Sequence, residues 1–225
     1  MNLKDFYDEV YKNYKPNADP RIWQIFAIKV INESNLKNNI VLDVGAGYGY
    51  ILRSMEQIGF IPHAIDVSNE CVSFLKDHGI NSNIVDISTD IFPFNDQFFD
   101  YIVFTEVIEH LVFPNHALAE IFRVLKPGGR LLISTHNSFN LYMRLKYLIG
   151  QLPSLELDVT EKGQHVRLYS YRILSKMLQM FGFKERTNRS WFRIWRISFF
   201  VPHFLTSLLS RHLLLVYEKP DNTEQ

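Results

Sequence analysis

The sequence predicts an α/β fold in which a doubly wound, mostly parallel sheet carries helices on both faces. Three observations predict it. Short apolar runs alternate with longer amphipathic ones, the first apolar run empties into a glycine-rich turn, and aspartates close the next two runs. The strand candidates are 40–44, 61–66, 84–85, 101–104, 130–134, 183–188 and 212–218. Helical patterns lie between them near 48–58, 69–77, 116–124 and 170–181, and two more, 6–14 and 21–32, precede the first strand. Ser68 before Asn69-Glu70-Cys71 is a helix cap with acid in the first turn. Pro127-Gly128-Gly129 is expected to end a helix closed by Leu125-Lys126 and to turn the chain into a buried strand. Right-handed crossovers then gather the loops after the strands' carboxyl ends on one edge, where ligands bind in such sheets.

Two hundred and twenty-five residues at 26.5 kDa suit one domain over 1–225. Within it, 1–36 reads as a helical cap, 136–169 and 190–211 as substrate-side insertions, and 220–225 as a loose tail. A hydrophobic fraction of 47% with 21% charge excludes bulk disorder. Lys+Arg 24 against Asp+Glu 24 excludes binding of nucleic acid by bulk charge. The balance is uneven along the chain: residues 1–120 carry 8 basic and 17 acidic residues, and 121–225 carry 16 and 7. Either the halves face different partners or the charges interleave on the folded surface. One cysteine, Cys71, allows no internal disulfide or thiolate zinc site, and the first residues lack a signal-peptide layout, so a cytoplasmic location is expected.

The strongest signal is Val41-Leu42-Asp43-Val44-Gly45-Ala46-Gly47-Tyr48-Gly49, an apolar strand running into glycines at every second position. Such glycines bring backbone N–H groups into contact with a ligand. The spacing is G-x-G-x-G rather than the G-x-G-x-x-G that seats a pyrophosphate, and no Lys-Ser/Thr pair follows. With Asp43 two residues upstream, it suits a phosphate-free ligand carrying an amine. Asp66 closes the second strand, placed to accept from both hydroxyls of a ribose. Asp86 is placed for an adenine amino group, with Val67 and Ile87 on the ring faces.

These segments, together with Phe99–Leu111 and Leu125–Leu131, resemble a class I S-adenosylmethionine-dependent methyltransferase along nearly the whole chain. The resemblance implies a Rossmann-like seven-stranded sheet whose last strand, 212–218, is antiparallel. It implies S-adenosylmethionine as cofactor, with Asp43, Gly45, Ala46, Gly47, Gly49, Asp66, Val67, Asp86, Ile87, Thr105 and Glu106 around it. An acidic amino-terminal half suits a cationic cofactor.

Glu106-x-x-Glu109-His110 follows the fourth strand. Glu106 and His110 are candidates to flank the transfer point, His110 as general base. A similar E-x-x-E-H segment in ubiquinone-pathway O-methyltransferases is associated with a divalent cation. E-H-L also recurs among these methyltransferases as a metal-free helix start, and no metal is the expectation here. His136 after the fifth strand and His165 in Gln164-His165-Val166-Arg167 resemble a subgroup whose loops border the acceptor, though many of its members carry proline where His136 stands. His165 is a candidate base or a loop-orienting residue.

Lys184, Arg186, Arg189, Arg193 and Arg196 are interleaved with Trp191, Phe192, Trp195, Phe199 and Phe200. Four readings stand open for 184–211: an interfacial segment on anionic lipid, a lid over an isoprenoid or glycolipid, an RNA groove, or a hydrophobic cover with arginines snorkelling outward. The expected activity is methyl transfer to a hydroxyl of a small, lipid- or sugar-linked molecule, with peripheral membrane contact and without nucleic acid. Methylation of RNA or protein, or non-catalytic cofactor binding, is the rival.

Overall fold

The computed structural model describes residues 3–12, 20–34, 39–151, 165–194 and 197–221. In chain order come α1 (Leu3–Lys12), α2 (Ile22–Glu33), β1 (Ile40–Val44), α3 (Tyr50–Gln57), β2 (Ile61–Asp66), α4 (Asn69–Asp77) and β3 (Asn81–Ile84). Then follow β4 (Phe99–Thr105), a 3₁₀ turn at Ile108–His110, α5 (Pro114–Val124), β5 (Leu125–His136), α6 (Leu141–Leu148) and α7 (Tyr171–Met180). β6 (Lys184–Asn188), β7 (Trp191–Ile194), β8 (Ile197–Phe200), α8 (Thr206–Leu209) and β9 (His212–Glu218) complete it.

The sheet runs β3-β2-β1-β4-β5-β9-β7-β8, with β6 also on β9. β1 to β5 are parallel and β9 is antiparallel to β5. Side chains along each strand alternate between two cores, as a period of two requires. Leu42, Val44, Ile102, Phe104, Leu131 and Ile133 pack with α5 and α7 on one face. Val41, Tyr101, Val103 and Leu132 pack with α2, α3 and Leu75 of α4 on the other. Both faces are therefore covered, which a parallel sheet demands.

Among the described residues, nine strands stand where seven are expected. The additional pair is the β7–β8 hairpin, which falls inside the stretch read from sequence as an insertion. Its anchor is Trp191, buried against the sheet and stacked on Phe26 of α2 at 5.0 Å. Trp195, Arg196 and the side chain of Arg193 lie outside the described residues, as do 152–164 and 222–225. The Pro127-Gly128-Gly129 expectation is also corrected. The α5 helix ends at Val124, and Leu125 already pairs with Phe99 as strand before the register shifts and resumes at Arg130 opposite Tyr101. The proline and glycines form a bulge in β5 rather than a helix stop. By contrast, Ser68 caps α4 as expected, its Oγ accepting from the Cys71 amide at 3.3 Å.

Candidate active site

β1 delivers its glycine turn to the sheet edge beside the loop that follows β4. Gly45 sits at φ +76°, and a Cβ there would meet Val107 Cγ2 at 2.6 Å, so the turn and the Glu106–His110 segment are packed without a spare atom between them. Gly47, at φ +53°, would place a Cβ 3.1 Å from the Tyr11 hydroxyl. Both backbones lie in the left-handed region that side chains avoid. The Gly47 amide donates to Asp66 Oδ2 at 2.8 Å and the Ser68 amide to Asp66 Oδ1 at 2.9 Å, so the β2 carboxylate holds the turn's shape. Asp43 is buried beside it. Burial, then the charge of Asp66, pushes Asp43 up to about 8. Burial likewise raises Asp66, against the hydrogen bonds from Ser68 and Gly47. Two buried carboxylates repelling one another make a site that favours a cation.

α1 lies across this turn. Its Asp8 accepts from Ser68 Oγ at 2.6 Å and from the Glu70 amide at 3.2 Å, while Tyr48 donates to the Tyr11 carbonyl at 3.0 Å. Burial, followed by the charges of Asp66, Glu109 and Asp86, pushes the Tyr7 phenol up to about 12. Tyr7 therefore sits among the acids of all three loops. Neither tyrosine stands out in the sequence; their i, i+4 spacing is the signal that puts both on one helical face.

Glu106 ends β4 in a left-handed conformation, φ +56°. Its amide donates to the Ser134 carbonyl at 3.0 Å and its carboxylate accepts from Ser134 Oγ at 2.7 Å. His136 Nδ1 lies 3.2 Å and His212 Nδ1 3.7 Å from that carboxylate. Burial would raise Glu106, yet the bonds and charges of His136 and His212 hold it well below the usual carboxylate range. For His136, burial pulls downward, but bonding to Glu106 and the charges of Glu106 and Glu109 prevail and push it up to about 10. It is an imidazolium at neutral pH. His212 reaches the cluster because antiparallel register sets it opposite His136, and Trp191 stacks on it at 4.6 Å.

Glu109 is 2% exposed, and neither of its carboxylate oxygens receives a hydrogen bond from the described residues. Its carbonyl accepts from the Val166 and Arg167 amides at 2.9 and 3.1 Å, which clamps the His165 segment against the 3₁₀ turn. His165 Nε2 lies 4.0 Å from Glu109 Oε1, with the His110 ring centre 4.9 Å and the His136 ring centre 5.2 Å from its own. Burial and the facing His110 and His136 lower His165, against the pull of the two glutamates. Glu106, His110 and His165 thus come together, and His136 and His212 join them.

Of the other expected cofactor neighbours, Thr105 is buried at the end of β4, Val67 is half-buried, and Ile87 sits in the core. Asp86 accepts from the Ser88 amide at 2.9 Å. Two groups of three, Glu106–His136–His212 and Glu109–His136–His165, have the donor types of a cation site among the described residues. Both share His136, whose own positive charge already lies between the two glutamates. Beside His165 opens a cavity of about 380 Å³ lined by Val112, Val166, Arg167, Leu168, Tyr169, Ile173 and Met177.

A family described as "Methyltransferase domain" matches residues 24–187. A ubiquinone biosynthesis O-methyltransferase of Xanthomonas oryzae pv. oryzae is 35% identical over 102 residues, 43% of each chain. One of Coxiella burnetii is 32% identical over 127 residues, 52% of this chain and 54% of that protein. The matches therefore span about half the length of these relatives or less. Among solved structures, a TehB-like SAM-dependent methyltransferase from Corynebacterium glutamicum superposes with a TM-score of 0.63 at 18% identity, over 96% of this chain and 97% of that one. A SAM-dependent methyltransferase from Aquifex aeolicus gives 0.59 at 21% identity, over 92% and 98%. At these identities the structural likeness concerns the fold.

Proposed function

This chain belongs to the methyltransferase-domain family and is an S-adenosylmethionine-dependent methyltransferase; from that premise we propose that it methylates a hydroxyl of a small, lipid- or sugar-linked acceptor, with His165 as general base. The residues fit the cofactor. A Cβ at Gly47 would crowd the Tyr11 hydroxyl at 3.1 Å, so the turn is kept to bare main chain, and the buried Asp43–Asp66 pair favours a positive charge. Gly45, Ala46, Gly47 and Gly49 would line it, Asp66 would hold the ribose, and Val67, Asp86 and Ile87 would border the adenine, with Thr105 and Glu106 at the far side. When bound, S-adenosylmethionine supplies a sulfonium methyl that is already a strong electrophile, so positioning and exclusion of water do most of the catalytic work.

The observation that carries the acceptor assignment is the Glu109–His165 pair. A buried carboxylate without hydrogen bonds faces Nε2 of a neutral imidazole. With the proton on Nε2, the nitrogen 4.0 Å from Glu109 Oε1, Nδ1 would offer a lone pair to an incoming hydroxyl. His110 packs against that ring and orients it. The cavity beside His165, with Arg167 and Tyr169 among its aliphatic walls, would receive the non-reacting part of the acceptor. The O-methyltransferase names of the relatives support a hydroxyl acceptor. Incubation with methyl-labelled cofactor and fractionated cell extract tests this. Base-stable label in solvent-extractable or glycan-linked material is expected, whereas label confined to RNA or protein would overturn it.

Asp66→Ala is expected to weaken cofactor binding by about 1–3 kcal/mol, through lost charged hydrogen bonds and a turn left without its acceptor. A wild-type dissociation constant by calorimetry would refute the ribose role. Turnover is expected to be indifferent to EDTA, in keeping with a Glu-x-x-Glu-His segment that serves as a metal-free helix start. Loss of activity that added Mg²⁺ or Mn²⁺ restores would show a metal requirement instead.

A further inference from the structure

Helix α6 leaves the acceptor side of the site directly, since only Asn137–Asn140 separates it from His136 at the end of β5. It is well made: Asn140 caps it, accepting from the Met143 amide at 3.2 Å, and Tyr147 ties it down by donating to the Ser138 carbonyl at 2.9 Å. Yet none of its residues is buried. Leu141, Tyr142, Leu145, Leu148 and the following Ile149 are exposed, Leu148 by 81% and Ile149 by 71%. At 100° per residue these five cover one arc of about 120°, while Met143 and Tyr147 turn to the opposite side. Arg144 falls on one flank of the arc and Lys146 on the other. Lys146 Nζ lies 4.8 Å and the Arg211 guanidinium 5.2 Å from the centre of the Tyr142 ring. No Asp or Glu occurs between residues 137 and 155.

We propose that α6 is a membrane-docking helix, lying in the interface of a bilayer containing anionic phospholipid with Leu141, Tyr142, Leu145, Leu148 and Ile149 inserted. An exposed apolar arc flanked by cations, with an aromatic ring between two of them, matches the layered chemistry of acyl chain, interface and anionic headgroup. A second copy of the chain is a poorer occupant. Eight residues make a helix about 12 Å long, whereas a stable dimer buries roughly 800 Å² on each partner. Two such arcs would also bring their cations together. Docking by α6 sets the His136–His165 end of the site at the bilayer surface, where an acceptor keeping its apolar part in the membrane presents its head to the base.

Flotation of the full chain with phosphatidylcholine vesicles, with and without phosphatidylglycerol, tests the proposal. Co-flotation is expected with the anionic vesicles alone and should diminish with added salt. Lys146→Ala with Arg211→Ala is expected to lower partitioning roughly thirtyfold. Leu145→Glu with Leu148→Glu should abolish it while thermal melting and cofactor affinity stay at wild-type values. Absence of flotation, flotation indifferent to the glutamate variant, or a dimer in sedimentation that this variant dissociates would each overturn the assignment.

Discussion

Gly47→Arg is expected to abolish S-adenosylmethionine binding in isothermal titration calorimetry while leaving a folded protein. Two costs act together. The residue sits at φ +53°, a conformation that charges any L side chain about 1–2 kcal/mol. The first side-chain atom then points at the Tyr11 hydroxyl, 3.1 Å away, and the rest of the arginine fills the space between the turn and α1. Gly47→Ala separates the costs, because it imposes the strain with one added carbon and should weaken binding without eliminating it. Unchanged affinity in the arginine variant would remove the glycine turn from the cofactor site altogether.

His165→Gln is expected to lower kcat by roughly 10²- to 10⁴-fold, the usual range for loss of a general base. Its cofactor affinity should be unchanged, since the segment is held by main-chain bonds to the Glu109 carbonyl rather than by the ring. The pH dependence is a separate check. Burial and the neighbouring imidazoles lower the His165 pKa from 6.5, so the ring is already neutral at pH 7. The rate of the wild-type enzyme should therefore hold through neutrality and fall only as pH drops below 6.5, and the variant should lack that limb. An acid limb above 6.5, or one that survives the substitution, would assign the base elsewhere.

The parts of the molecule governed by local chemistry were legible in the sequence. α4 was placed residue for residue because Ser68 is a cap that binds a specific amide, and β1 and β2 because apolar runs end on glycine and aspartate. The cluster around His136 was not legible. His136 and His212 are brought opposite by the antiparallel register of β5 and β9, and no spacing in the chain announces which residue of a late strand will face an early one. The β7–β8 hairpin was missed for a related reason. Its aromatic and basic residues resemble a surface segment until Phe26, on a helix far upstream, supplies the ring on which Trp191 stacks. The Pro127-Gly128-Gly129 bulge was misjudged because punctuation that stops helices also interrupts strands, and here Phe99 pairs Leu125 first.

β9 hydrogen-bonds to β5 on one side and to β6 and β7 on the other, yet it is the last of these strands to leave the ribosome. Until it emerges, β5 offers a naked edge and β6 has no partner to zip against, so the sheet closes only once β9 is free to pair. His212 travels with that final strand. The nascent chain thus holds its imidazole cluster incomplete until that strand is in place.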